Sequence, residues 1–173
     1  MASMSYAEKA RLSNYEIDEN GYLIVKNAWL LWRNFANDPN KNFGRWGFTL
    51  LLDEDIANKL MADGWNIHVK QPRTPDEEPF YVTDVMIKTD CKWPPMFYLY
   101  TEFNGQKSYR EMSYDEIGDL DEKIRIRRAD VVVNRAGKGG RYLQELRVFE
   151  RPQTSRLGYD DYSDYESLPF KEE

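Results

Sequence analysis

The stretch KIRIRRADVVVNRAGKGGRYLQELRVF constrains the chain most. Ile124 and Ile126 alternate with Arg125 and Arg127, so a strand here turns isoleucines inward and arginines outward. GRYLQELRVF reads as its partner strand, and the glycines of NRAGKGG permit a tight or bulged turn between the two. Upstream, YLIVKNAWLLWRNF (22–35) reads as one long apolar strand, and RWGFTLLL alternates Trp46, Phe48, Leu50 and Leu52 on one face. WNIHVK and FYVTDVMIK flank the proline-rich loop QPRTPDEEP, and MFYLYTEF (96–103) follows KWPP. Only two short helices are predicted. Asp53 caps the first, which Gly64 ends, and Ser113 and Glu116 have capping-box spacing in SYDEIGDL. Many short strands with small helices predict a mainly β protein, a small β-barrel or strongly curved sheet.

The acid–base balance matters only when divided along the chain. Residues 1–122 carry 13 basic and 21 acidic side chains, residues 123–157 carry 10 and 3, and residues 158–173 carry 1 and 6. A block of net +7 therefore stands directly before a tail of net −5. That tail, GYDDYSDYESLPFKEE, has neither helix nor strand period and is predicted disordered. The expected organisation is an extension over 1–20, a folded domain over 21–157 and the acidic tail over 158–173.

Several classes of function lose their material. No run of about 18 apolar residues exists to span a bilayer, and the N-terminus lacks a signal-peptide core. Cys91 is the only cysteine and His68 the only histidine, which fits a reducing cytoplasm and leaves little for a zinc site or a Ser-His-Asp triad. AGKGG lacks the G-x-x-x-x-G-K-[ST] pattern and lies between strands, so no triphosphate site is expected. No cofactor and no metal are called for. Carboxylates such as Asp84, Asp90, Asp115, Asp119 and Asp121 are plentiful, but their spacing does not converge them.

Cations beside aromatics suggest a different chemistry. Arg125, Arg127, Arg135, Lys138 and Arg141 lie along and across the hairpin, where they can track a phosphate backbone. Arg33 adjoins Trp32, Phe43 lies with Arg45 and Trp46, and Lys92 adjoins Trp93, while Tyr98 and Tyr100 share one strand face. Aromatic rings of this kind stack on bases whatever their identity. The alternatives are a solvated hairpin and aromatics spent on the core.

The order of IVKNAWLLWRNF, FTLLLDEDIANKL, PPMFYLYTEFNGQKS and DEIGDLDEKIRIRRADVVVNRAGKGGRYLQELRVF, followed by an acidic end, resembles bacteriophage-encoded single-stranded DNA-binding proteins of the OB-fold type. The resemblance runs from about Gly21 to Glu150. It implies an elaborated OB-like barrel, without enzymatic activity, that binds single-stranded DNA in replication or recombination in the host cytoplasm. It also implies a partner-docking role for Asp160, Asp161, Asp164, Glu166, Leu168, Pro169 and Phe170 of the tail, although Lys171, Glu172 and Glu173 follow the Leu-Pro-Phe tip. Such a tail would occupy the basic groove as a phosphate mimic until DNA displaced it, freeing the tip for replication or recombination proteins. The glycine-rich hairpin and exposed strand edges permit a dimer or filament. Two other classes stay open: a metal-dependent nucleic-acid enzyme, and an acidic interaction protein that mimics DNA.

Overall fold

The computed structural model describes residues 4–136 and 140–154; for Asp121, Arg135, Ala136 and Gly140 it describes the backbone alone. Among the described residues ten strands are formed: β1 (Asn14–Ile17), β2 (Leu23–Lys26), β3 (Leu30–Asn34), β4 (Gly47–Leu52), β5 (His68–Lys70), β6 (Phe80–Met86), β7 (Met96–Phe103), β8 (Gln106–Glu111), β9 (Ile126–Ala136) and β10 (Gly140–Glu150). The helices are α1 (Tyr6–Ala10), α2 (Glu54–Ala62) and α3 (Asp119–Glu122). The protein is mainly β, as the alternating runs predict. All ten strands join one sheet in the order β1-β2-β9-β10-β6-β4-β3, with β5 on β6, and with β7 and β8 added beside β10. The sheet is not closed into a continuous barrel.

β10 is the junction. It pairs antiparallel with β9 along nearly its full length, and parallel with β7 from Glu145 to Phe149. Nearer its start, Tyr142 meets Met86 of β6, also in parallel. The inner face of the sheet buries Leu23, Val25, Phe48, Leu50, Val85, Phe97, Val131, Val133, Leu146 and Val148, with Ile56 and Leu60 of α2 and Leu120 of α3 packed over them. Burying one such side chain contributes about 1.5–3 kcal/mol, so this cluster dominates the folded state.

Local chemistry sets the breaks. The run 22–35 is two strands rather than one, because Asn27 sits in the left-handed region (φ 58°). Asparagine tolerates that conformation, and the Asn27 amide is held there by donating to Asp130 Oδ1 at 2.9 Å. The Asp53 cap is present: its Oδ1 accepts from Ile56 N at 2.8 Å. Ser113 and Glu116 form the expected capping box, although on a single short turn. Ile124 and Ile126 are out of phase with Ala129, Val131 and Val133; a register shift that skips Arg127 brings both sets to the core face.

The N-terminal segment expected as an extension carries structure. β1 pairs with β2, Ala10 is fully buried against Leu51, Phe80 and Val82, and the Tyr15 hydroxyl donates to Ala10 O at 2.8 Å. β8 was not foreseen in the sequence: every residue of QKSYRE is exposed, so no apolar alternation marks it. The tail residues 158–173 and the turn at 137–139 lie outside the described residues.

Candidate nucleic-acid interface

The outer face of the sheet gathers rings and guanidinium groups in register. Tyr100 of β7 lies opposite Tyr109 of β8 on one side and Phe149 of β10 on the other, and Phe149 lies opposite Arg128 of β9. The Tyr100 and Tyr109 rings stack at 5.3 Å with 18° between planes, and the Tyr100 and Phe149 rings stack at 4.6 Å with 16°. Arg128 covers the far end, its guanidinium carbon 5.1 Å from the Phe149 centroid. At the near end stands Tyr109, 69% exposed, on a strand that pairs with β7 alone among the described strands.

A second rung follows two residues along. Arg147 lies opposite Tyr98, with its guanidinium carbon 5.8 Å from the ring centroid. Arg147 Nε also donates to Glu145 Oε2 at 2.6 Å, and that bond raises its pKa above the usual arginine range. Partial burial pushes the Tyr98 hydroxyl up, with the carboxylates of Glu111 and Glu145 adding to the shift. Arg128 is balanced by Asp130, its Nε 3.0 Å from Oδ1. The inward neighbours Phe97, Leu99, Leu146 and Val148 fix these strands in the core, which makes the ring row a rigid feature.

The β3–β4 connection carries another aromatic cluster. The Asn34 amide, fully buried, donates from Nδ2 to the carbonyls of Asp38 (2.8 Å), Lys41 (3.1 Å) and Arg45 (2.8 Å), and its Oδ1 accepts from Asp38 N at 2.7 Å. Folded around this one side chain, the loop presents Phe43, 93% exposed, which lines a groove of about 700 Å³ together with Trp32 of β3, 51% exposed. Both residues have positive φ, 54° and 48°. Arg45 covers Phe43 at 5.7 Å and donates from Nη1 to Asp84 Oδ2 at 2.9 Å. His68 and Lys70 complete the far wall from β5.

Other expected residues fall in several places. Arg33 and Arg127 line a cleft of about 240 Å³ with Arg128, where β3 begins beside β9. Arg125 is exposed just ahead of β9. Lys92 and Trp93 form their own pair on the β6–β7 connection, with Nζ 5.5 Å from the centroid of a ring 68% exposed. Lys88 stands over Tyr142 at 5.9 Å, a cation–ring contact where β6 meets β10.

Two assignments give way. Trp46 is half-buried against the core and its Nε1 donates to Phe35 O at 2.8 Å, so its ring is spent on the fold. Arg141 is 2% exposed, with its guanidinium carbon 4.8 Å over the Trp65 ring and Nη2 donating to Gly64 O at 3.3 Å. It has the strand parity of Leu143, which faces the core. The side chain of Arg135, and the whole of Lys138, Asp160, Asp161, Asp164, Glu166, Leu168, Pro169 and Phe170, lie outside the described residues. Sequence reasoning missed Tyr109, Phe149, Arg128 and Arg147, whereas Phe43, read beside Arg45 and Trp46, is one of the exposed rings. Among the described residues, no group of three or more His, Cys, Asp or Glu side chains could hold a metal ion. No helix among them is long and apolar enough to cross a membrane.

Rings stacked in register on an exposed sheet face, interleaved with guanidinium groups, define a surface suited to unpaired nucleic-acid bases. A family model described as "Putative phage ssDNA-binding domain" matches residues 13–141, and the chain belongs to that family. The match begins within the segment that had been set apart as an extension, and it takes in all of the strands except most of β10. No curated protein and no solved structure matched the chain in the same comparisons.

Proposed function

We propose that the outer face of this OB-like sheet holds single-stranded DNA without base preference, serving phage DNA replication or recombination in the host cytoplasm and performing no chemistry on the strand. The observation that carries this reading is the row Tyr109–Tyr100–Phe149–Arg128 across four adjoining strands. Bases have π-faces whatever their identity, and each base stacked on a protein ring contributes roughly 1–3 kcal/mol. Within the row both faces of Tyr100 and of Phe149 are taken by their neighbours, so a base adds to the stack at the outer face of Tyr109, which supports affinity without sequence readout. Tyr98 extends it by a rung, and Trp93 with Lys92 offers a further ring and cation beside it.

Phosphates would be met by exposed arginines at the margin. Arg127 and Arg33, together with Arg128, supply positive charge to one cleft, and Arg125 lies just ahead of it in the chain. Arg135 and Lys138 would extend this path along the hairpin. The acidic tail, with Asp160, Asp161, Asp164 and Glu166 before Leu168-Pro169-Phe170, would compete for the same cations and dock partner proteins when displaced.

The test is a titration of the full chain with labelled oligo(dT) at low and moderate salt, repeated on a chain ending at Leu157. Binding that weakens with salt at a slope of about −0.7 per phosphate contact is expected, and it should be tighter without the tail. Absence of any binding would overturn the reading. Incubating the same DNA with Mg²⁺ or Mn²⁺ is expected to leave it intact; cleavage would favour a nuclease.

A further inference from the structure

The groove at the β3–β4 connection has features that a phosphate-tracking surface does not need. Its floor includes the Asp84 carboxylate, whose Oδ1 accepts from Thr49 Oγ1 at 2.9 Å and whose Oδ2 accepts from Arg45 Nη1 at 2.9 Å. His68 Nε2 lies 3.9 Å from the same Oδ2. Arg45 is already engaged by that carboxylate, so a phosphate entering here gains little from the cation and still meets repulsion from Asp84. The base of a nucleotide is neutral and carries donors and acceptors on its edge, so it meets no such repulsion.

The walls match that ligand. Trp32 and Phe43 both line the groove, and Val82 adds apolar surface from β6. The groove, at about 700 Å³, falls within the roughly 300–1,000 Å³ usual for small-ligand sites. Bulky residues with positive φ are outliers, and backbone strain of this kind clusters at binding sites. Here two of them, Trp32 at φ 48° on β3 and Phe43 at φ 54° on the β3–β4 connection, line the same groove. The buried Asn34 side chain at the end of β3 holds the connection that carries Phe43, so the strained backbone there is fixed before any ligand arrives.

We infer that this groove takes one nucleobase of the bound strand, its face against Trp32 and Phe43 and its edge toward Asp84 and His68, with the adjoining phosphate on the side of Lys70. This rests on the single-stranded DNA reading and adds to it a discrete base site, separate from the ring row on β7, β8 and β10. Phe43 is its specific determinant: the ring touches solvent almost everywhere, so the fold does not depend on it.

Photocrosslinking tests the assignment. The full chain is irradiated with an oligo(dT) carrying 5-iododeoxyuridine, and the adducts are located by peptide mass spectrometry. Adducts on Trp32 or Phe43 are expected beside those on Tyr109 and Tyr100. Phe43→Ala should weaken oligo(dT) binding roughly five-fold or more, with an unchanged unfolding midpoint. If the oligonucleotide binds, adducts stay confined to Tyr100, Tyr109 and Phe149, and Phe43→Ala binds like wild type, the base site is refuted while DNA binding stands. If nothing binds, both fall together. An adduct from free 5-iododeoxyuridine monophosphate, with none from the oligonucleotide, would overturn the strand assignment in favour of a mononucleotide site.

Discussion

Truncating Tyr109 separates stacking from charge within one surface. The residue is 69% exposed and touches the fold mainly through its stack on Tyr100 at 5.3 Å, so Tyr109→Ala removes one aromatic pair and little buried area. An aromatic pair contributes about 0.5–1.5 kcal/mol, and with this exposure the stability loss should sit near the lower end. A lost base stack costs about 1–3 kcal/mol of binding, or roughly 5- to 150-fold in affinity. No charge changes, so the slope of log affinity against log salt should match wild type. Arg127→Ala is the counterpart, expected to reduce the magnitude of that slope by about 0.7 with a smaller effect at high salt. Fluorescence anisotropy of labelled oligo(dT) at three salt concentrations measures both quantities, and Tyr109→Phe should bind within two-fold of wild type because it keeps the π-face. The stacking argument fails if Tyr109→Ala also stays within two-fold, or if it alters the salt slope as Arg127→Ala does.

Three further outcomes follow from the framework. Asn34→Ala removes four hydrogen bonds of the β3–β4 loop and should cost roughly 2–4 kcal/mol in denaturant titrations, with oligo(dT) affinity falling as the loop loosens. Gly47→Ala would set a Cβ 2.0 Å from the Val85 carbonyl oxygen at a φ of 153°, so it should disrupt the β4–β6 ladder and lower the unfolding midpoint sharply; a midpoint like wild type would show that the ladder can shift. Glu116 has its pKa lowered to about 2 by the Arg110 hydrogen bond and by the Ser113 amide. A carboxylate with a depressed folded pKa stabilises above its unfolded pKa of 4.5 and loses that contribution as pH falls toward 2, so the midpoint difference between wild type and Glu116→Gln should be full at pH 6 and shrink through that window.

The alternation of apolar residues made the inner face of the sheet legible, and the placement of Val131, Val133, Phe48 and Leu50 follows from it. The same alternation sets Trp46 beside Phe48 on the core face, a stronger signal than its adjacency to Arg45. Arg141 shares parity with Leu143 in the same way, so its burial was also readable. Tyr98 and Tyr100 were legible as one face of one strand. Their neighbours were not, because Tyr109, Tyr100, Phe149 and Arg128 meet only through the pairing of β8, β7, β10 and β9, and no local pattern specifies parallel pairing between β7 and β10. Phe43 was legible as an aromatic beside Arg45 and Trp46, but its Asn and Gly neighbours mark a turn without saying that the turn displays the ring to solvent.

The junction strand β10 also decides when this protein can fold. It alone ties the β7–β8 hairpin to the rest of the sheet, and it joins β9 to β6 through the contact at Tyr142. Until residues 140–150 leave the ribosome, at some 5–20 residues per second, the earlier strands have no template that joins them. Pairings so distant along the chain carry loop-closure costs typical of domains that fold in milliseconds to seconds. A nascent chain would thus hold the β7–β8 hairpin, with Phe97, Leu99 and one side of its aromatic row, without its β10 partner until residues 140–150 arrive, making early termination within β10 a route to aggregation rather than to a shortened, working protein.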